Sequence, residues 1–171
     1  IGTETFTYTA KDPSNNTSNE ATLTISITDS TAPTVQSVSS TAADGIYTAG
    51  DTIPINVVFS EAITVNTSGG NPSLTLETGS TDQVINYASG SGTNTLAFSY
   101  TVQDGDTTSD LNYNATSSLA LNGATIQDSS GNNATLTLPV LDSSNALAGN
   151  NDLVINTTAP TISVAINDGG D

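Results

Sequence analysis

The chain has no cysteine, histidine, methionine or tryptophan, and Lys11 is its single basic side chain. Each absence excludes a class of chemistry. Without cysteine there are no disulfides, thiolate nucleophiles or zinc knots, and without histidine the usual general base and commonest zinc ligand are missing. One lysine and no arginine cannot neutralise a run of phosphates, so nucleic acid is not an expected partner. No run of 18 apolar residues occurs, which argues against insertion into a membrane. The first residues, Ile1-Gly2-Thr3-Glu4, resemble neither a signal peptide nor a Met start, and the chain reads as a piece of a longer one.

What is present is acidic and polar. Seventeen carboxylates give a formal net charge of -16 over 171 residues. Thr, Ser and Asn occupy 70 positions, so the polar surface is mostly uncharged hydroxyl and amide. With one cation available, the carboxylates either repel one another in water or share a bound cation.

The hydropathy period is two. Ile53, Ile55, Val57 and Phe59 alternate with Pro54, Asn56 and Val58, and Leu96, Phe98, Tyr100 and Val102 repeat the pattern. Leu23, Ile25 and Ile27 alternate likewise with Thr22, Thr24 and Ser26. Such alternation turns one row of side chains to a core and the other to water, and Gly, Asn, Asp and Ser clusters between the runs are turn chemistry. No sustained 3.6-residue period occurs. The expected fold is all-β, an immunoglobulin-like antiparallel β-sandwich.

An internal repeat marks the boundaries. Ile27-Thr28-Asp29-Ser30-Thr31-Ala32-Pro33-Thr34 returns as Val154-Ile155-Asn156-Thr157-Thr158-Ala159-Pro160-Thr161, its prolines 160 - 33 = 127 residues apart. That spacing suits one sandwich. Residues 1–28 are therefore expected to be the last two strands of a preceding domain and 29–33 a linker. Residues 34–156 are the complete sandwich, and 157–171 a second linker with the first strand of a following domain. Strands are expected near 34–39, 53–59, 62–65, 73–77, 83–88, 94–102, 119–126 and 133–138, with an extended segment at 152–156. The inward rows comprise Val35, Ile53, Ile55, Val57, Phe59, Leu74, Leu76, Ile85, Tyr87, Leu96, Phe98, Tyr100, Leu121, Ile126, Leu136 and Leu138. Tyr113 either makes a tyrosine corner, its phenol bonded to nearby backbone, or is simply half-buried.

The carboxylates fall in loops. Asp104, Asp106 and Asp110 stand at relative positions 1, 3 and 7 of a Gly-containing segment, a spacing that can aim several oxygens at one Ca2+. No flanking helices exist, and Ala115 stands where an EF-hand has its closing Glu. A second acidic loop runs from Asp44 to Asp51. In immunoglobulin topology these two loops meet at one end, near Asp152 and Asn156, while Asp29, Glu61, Asp128 and Asn132 converge at the other. Each acid taken singly is also an ordinary turn residue. Gly69-Gly70 and Gly90-Ser91-Gly92 are loop glycines rather than phosphate cradles, the Thr-x-Thr runs are water-facing strand rows, and the Asn-x-Ser/Thr triplets follow from composition. With no Trp to stack a sugar and no long loop to build a cleft, catalysis is not expected.

Several motifs in order resemble the immunoglobulin-like tandem repeats of giant, type I-secreted (RTX-type) bacterial surface adhesins. They are Asp44-Gly45-x-Tyr47-x-x-Gly50-Asp51-x-Ile53-x-Ile55-x-Val57-x-Phe59-Ser60-Glu61, Leu74-x-Leu76-Glu77-Thr78-Gly79, Tyr100-Thr101-Val102-Gln103-x-Gly105-Asp106, Leu121-Asn122-Gly123 and Ile126-x-Asp128-x-x-Gly131-Asn132. Tyr8-Thr9-Ala10-x-Asp12 and the 29–34 linker are similar to another tandem type. The resemblance implies an extracellular, cell-surface spacer stiffened by calcium, whose partners are neighbouring repeats of the same chain. The glycine-rich nonapeptide calcium repeats of such proteins' secretion ends are absent, and Asn156 replaces Asp in the second linker. A ligand-binding module, or a fibre subunit pairing strands with other copies, are the alternatives.

Overall fold

The computed structural model describes residues 2–164. Its regular secondary structure is almost wholly strand, nearly all paired antiparallel. The strands are β1 (Gly2–Tyr8), β2 (Ala21–Ile27), β3 (Val35–Ser40), β4 (Gly45–Tyr47), β5 (Thr52–Asn66), β6 (Ser73–Glu77), β7 (Gln83–Ser89) and β8 (Thr93–Thr101), followed by β9 (Thr107–Thr108), β10 (Asn112–Tyr113), β11 (Leu119–Ala120), β12 (Thr125–Gln127) and β13 (Leu153–Asn156). One short helix, α1 (Leu147–Asn150), precedes β13.

The largest sheet runs β10-β6-β7-β8-β5-β12, with β11 added to β6 and β3 to β5. A three-stranded sheet, β4-β13-β9, contains the parallel pair β4/β13. The unit has one core, in which Ile53, Ile55, Val57, Phe59, Leu74, Leu76, Leu96, Phe98 and Tyr100 are buried as their alternation requires. Val35, Tyr87, Leu121 and Leu136 of the expected inward rows are only partly buried against it. The core also takes Leu111, Tyr113, Ala146, Leu147, Leu153 and Ile155, which come from short or irregular segments. No helix of the described residues is long and apolar enough to cross a membrane.

Four expected strands take other forms. The runs 53–59 and 62–65 are one strand, β5, carrying a wide bulge: while β8 steps from Thr95 to Thr93, β5 steps from Val58 to Ile63. The run 119–126 is cut into β11 and β12 by a turn at Asn122-Gly123, both at positive φ (52° and 92°), closed by the Ala124 amide on the Leu121 carbonyl (3.0 Å). Glycine is required at 123, because a Cβ there would lie 2.4 Å from the Gly69 carbonyl oxygen. The segment 133–138 forms no strand. Its amides go to different elements instead: Ala134 to Ile126, Thr135 to Pro33 and Leu138 to Thr116.

Tyr113 is fully buried, and its phenol donates to the Pro139 carbonyl, 26 residues on. That bond ties β10 to the irregular stretch after 138 and is not the local loop of a tyrosine corner. Burial pushes the Tyr113 hydroxyl up to about 12.

Strands β1 and β2 form a separate two-stranded sheet in continuous register from Gly2/Ile27 to Tyr8/Ala21. Cross-strand partners share a face, so Phe6, Tyr8, Leu23, Ile25 and Ile27 lie on one side and the threonines on the other. That apolar side is bare: Phe6 is 52% exposed and Tyr8 60%. Of the strand expected over 161–171, residues 161–164 carry no strand pairing, and the remainder lies outside the described residues.

Candidate metal centre

Residues 29–34 leave the β1–β2 sheet and enter the main unit, and hydrogen bonds fix their far end. The Pro33 carbonyl accepts from the Thr135 amide (2.8 Å), and the Thr34 carbonyl from the Ser60 amide (2.8 Å). The Thr34 amide donates in turn to the Ser60 hydroxyl (3.1 Å). Ser60 and Glu61 sit in the β5 bulge, which is why their polar groups face the linker and not a strand partner.

Asp29, Glu61 and Asp128 meet here. One carboxylate oxygen of each lies within 4.8 Å of the others, and among the described residues this is the one set of three such ligands so close. Asp29 and Glu61 are half-buried and Asp128 is buried. Asp128 follows β12 and organises its own turn: Oδ1 accepts from the Ser130 and Asn132 amides, each at 2.8 Å, and Oδ2 from the Asn132 side chain (2.7 Å). Burial disfavours the Asp128 anion, but these donors prevail and hold it below the ordinary aspartate range. Glu61 has no such support. Burial first, then the Asp29 and Asp128 charges, push its carboxyl above the ordinary glutamate value.

Asn132, an expected metal ligand, serves as a brace. Its side-chain amide donates to the Asp29 carbonyl (3.2 Å) as well as to Asp128, so it joins the linker to the 128–132 turn. The Asp29 carboxylate makes an Asx turn, Oδ1 accepting from the Thr31 amide (2.9 Å).

The donor set fits a hard divalent cation. Three carboxylates with no basic neighbour are oxygen ligands of the kind Ca2+ takes, and its coordination sphere is about 4.6–5.2 Å across, matching their separation. Bound Ca2+ would draw on Asp29, Glu61 and Asp128 and offset their mutual repulsion.

The other acids are arranged differently. Asp104, Asp106 and Asp110 are not brought together around one point. The Asp106 carboxylate turns inward and is engaged by protein donors: the Tyr100 hydroxyl (2.6 Å) and Gln103 amide (2.9 Å) on Oδ2, and the Gln83 side chain (2.9 Å) on Oδ1. Burial, then this bond and the Asp106 charge, push the Tyr100 hydroxyl far up. Asp104 is exposed. Asp51 binds the Thr48 amide (2.7 Å) and hydroxyl (3.0 Å) across its turn. Asp44 and Asp110 do approach each other beside Asp152, as loops sharing one end should. Asp44 accepts from the Asp152 amide (3.0 Å) and Asp110 from the Leu153 amide (3.4 Å). Burial, followed by the charges of Asp152 and Asp44, leaves the Asp110 carboxyl above its ordinary value despite the Leu153 donor.

Searches against protein-family models, curated proteins and solved structures find no match to this chain.

Proposed function

We propose that this chain is a non-enzymatic extender segment of a bacterial surface adhesin: one immunoglobulin-like sandwich with parts of its neighbours, stiffened by Ca2+ at the junction. The observation that carries this reading is the composition of the carboxylate cluster. Asp29 belongs to the linker, whereas Glu61 and Asp128 belong to the unit it enters, so one ion binding all three would bridge the hinge. A stalk of sandwiches on short linkers bends at each junction, and an inter-unit ion removes that freedom. The bare apolar face of the β1–β2 sheet supports the tandem arrangement, because it has the character of one core wall awaiting its second sheet. The extracellular setting and the absence of catalysis belong to this same reading.

Calorimetric melting of the 171-residue chain, in millimolar calcium and then in excess chelator at matched ionic strength, tests it. At calcium about 100-fold above Kd, mass action contributes about 2.7 kcal/mol, a rise in Tm of roughly 5–10 °C for a unit this size. Equal Tm with and without calcium, or an equal rise with magnesium, would count against the reading.

A further inference from the structure

The segment leaving the main unit is held quite differently from the one entering it. Thr157 follows the last β13 pair, Asn156 with Thr107, and its hydroxyl is used twice. It donates to the Asp106 carbonyl (2.8 Å) and accepts from the Gly105 amide (3.0 Å). The loop that offers these groups is closed and anchored by hydrogen bonds. Gly105 at φ 94° allows the Gln103–Asp106 turn, which the Asp106 amide closes on the Gln103 carbonyl (3.2 Å). The buried Asp106 carboxylate then pins the turn to Tyr100 on β8 and to Gln83 on β7. One residue further, the Asn156 side chain accepts from the Thr158 amide (3.0 Å). This is the same Asx turn that Asp29 makes with Thr31, 127 residues earlier in the repeat.

We propose that the Gln103–Asp106 loop is a cation-independent latch that fixes the direction in which the chain leaves the unit, with Thr157 as its catch. No carboxylate oxygen is needed at the catch, because both contacts are to loop backbone. The neutral Asn156 in place of Asp suits an exit held by hydrogen bonds alone. The repeat sets Ser30 where Thr157 stands, so a hydroxyl is kept at that place in the entering linker as well. The latch does not depend on calcium at the entry cluster, and the two fail separately.

The test compares the whole chain with Thr157→Val, which keeps the side-chain shape but loses the hydroxyl, and Thr157→Ser, which restores it. The readouts are the exchange rate of the Gly105 amide and the {1H}–15N heteronuclear NOE of Thr157 and Thr158, each in calcium and in chelator. The expected result for Thr157→Val is Gly105 exchange roughly five- to tenfold faster, as the loss of one such bond implies. The NOE at 157–158 should fall while amides of β5 and β8 are unaffected, and Thr157→Ser should behave as wild type. Wild-type values at 157–158 should be the same in calcium and chelator. An unchanged NOE in Thr157→Val would overturn the proposal, as would a wild-type NOE at these residues that collapses on chelation.

Discussion

Replacing Glu61 with glutamine is expected to raise the Tm of the chelated protein and to abolish the rise that calcium produces in the wild type. The two effects have one origin. Glu61 is the carboxylate of the cluster without hydrogen-bond support, and burial together with Asp29 and Asp128 makes its ionised form unfavourable. Its folded pKa therefore lies above its unfolded value. Ionised Glu61 destabilises the metal-free fold at neutral pH, and stability is regained as pH falls through the folded value toward the ordinary 4.5. Glutamine removes that penalty and, with it, a charged ligand. In chelator the wild-type Tm should thus climb as pH is lowered through the window just above 4.5, and Glu61→Gln should lose the Glu61 part of this climb while keeping that of Asp110, which is raised above its ordinary 3.8. Below that window Asp128 acts in the opposite sense. Its pKa is depressed, so its contribution disappears as it is protonated below the ordinary aspartate value of 3.8. Glu61 is also a cleaner probe than Asp128, whose substitution would undo the 128–132 turn. A Glu61→Gln protein that melts lower in chelator yet keeps the full calcium response would contradict the assignment.

Asp106→Ala is expected to be among the most damaging single substitutions, costing about 3 kcal/mol or more, or roughly 6–12 °C in Tm. The loss is not the carboxylate itself but what it leaves behind. The Tyr100 hydroxyl, the Gln103 amide and the Gln83 side chain all lose their acceptor, and Tyr100 is only 1% exposed. Asp106→Asn should cost much less, since its amide oxygen can still receive Tyr100 and Gln103, and its NH2 group can donate to the Gln83 side-chain oxygen once that carboxamide flips. Urea denaturation of the three proteins checks the order. An Asp106→Ala protein within 1 kcal/mol of the wild type would mean water replaces the carboxylate freely, and the loop is not pinned as described.

The strands were legible in the sequence where they are long and alternating. Ile53 to Phe59 and Leu96 to Tyr100 announce both their pleat and their buried face, because a period of two admits one inward row. Short, irregular segments were not. Asn122-Gly123 carries the turn signal that divides 119–126, yet the apolar residues on either side read as one run. Leu147 and Ala146 enter the core from a single helical turn, too short to show any period. The convergence of Asp29, Glu61 and Asp128 followed from sandwich topology, since linker, bulge and β12 turn share one end. The regular spacing of Asp104, Asp106 and Asp110 suggested a ligand loop, but spacing does not reveal which acid turns inward. The usable signal was Tyr100: a tyrosine in an inward row needs an acceptor for its hydroxyl, and Asp106 stands just beyond the same strand.

The most direct measurement of calcium-dependent stiffening is the distance between the β1–β2 sheet and the main unit. The chain has no cysteine, so Thr5→Cys and Asn86→Cys, both exposed, accept spin labels at those two sites alone. Pulsed electron-spin distance distributions would be recorded in chelator, in magnesium and in calcium. Bridging of the linker by Asp29, Glu61 and Asp128 predicts a broad distribution in chelator and magnesium that narrows to one peak in calcium, and no narrowing in Glu61→Gln. A distribution of the same width in all three conditions would contradict it.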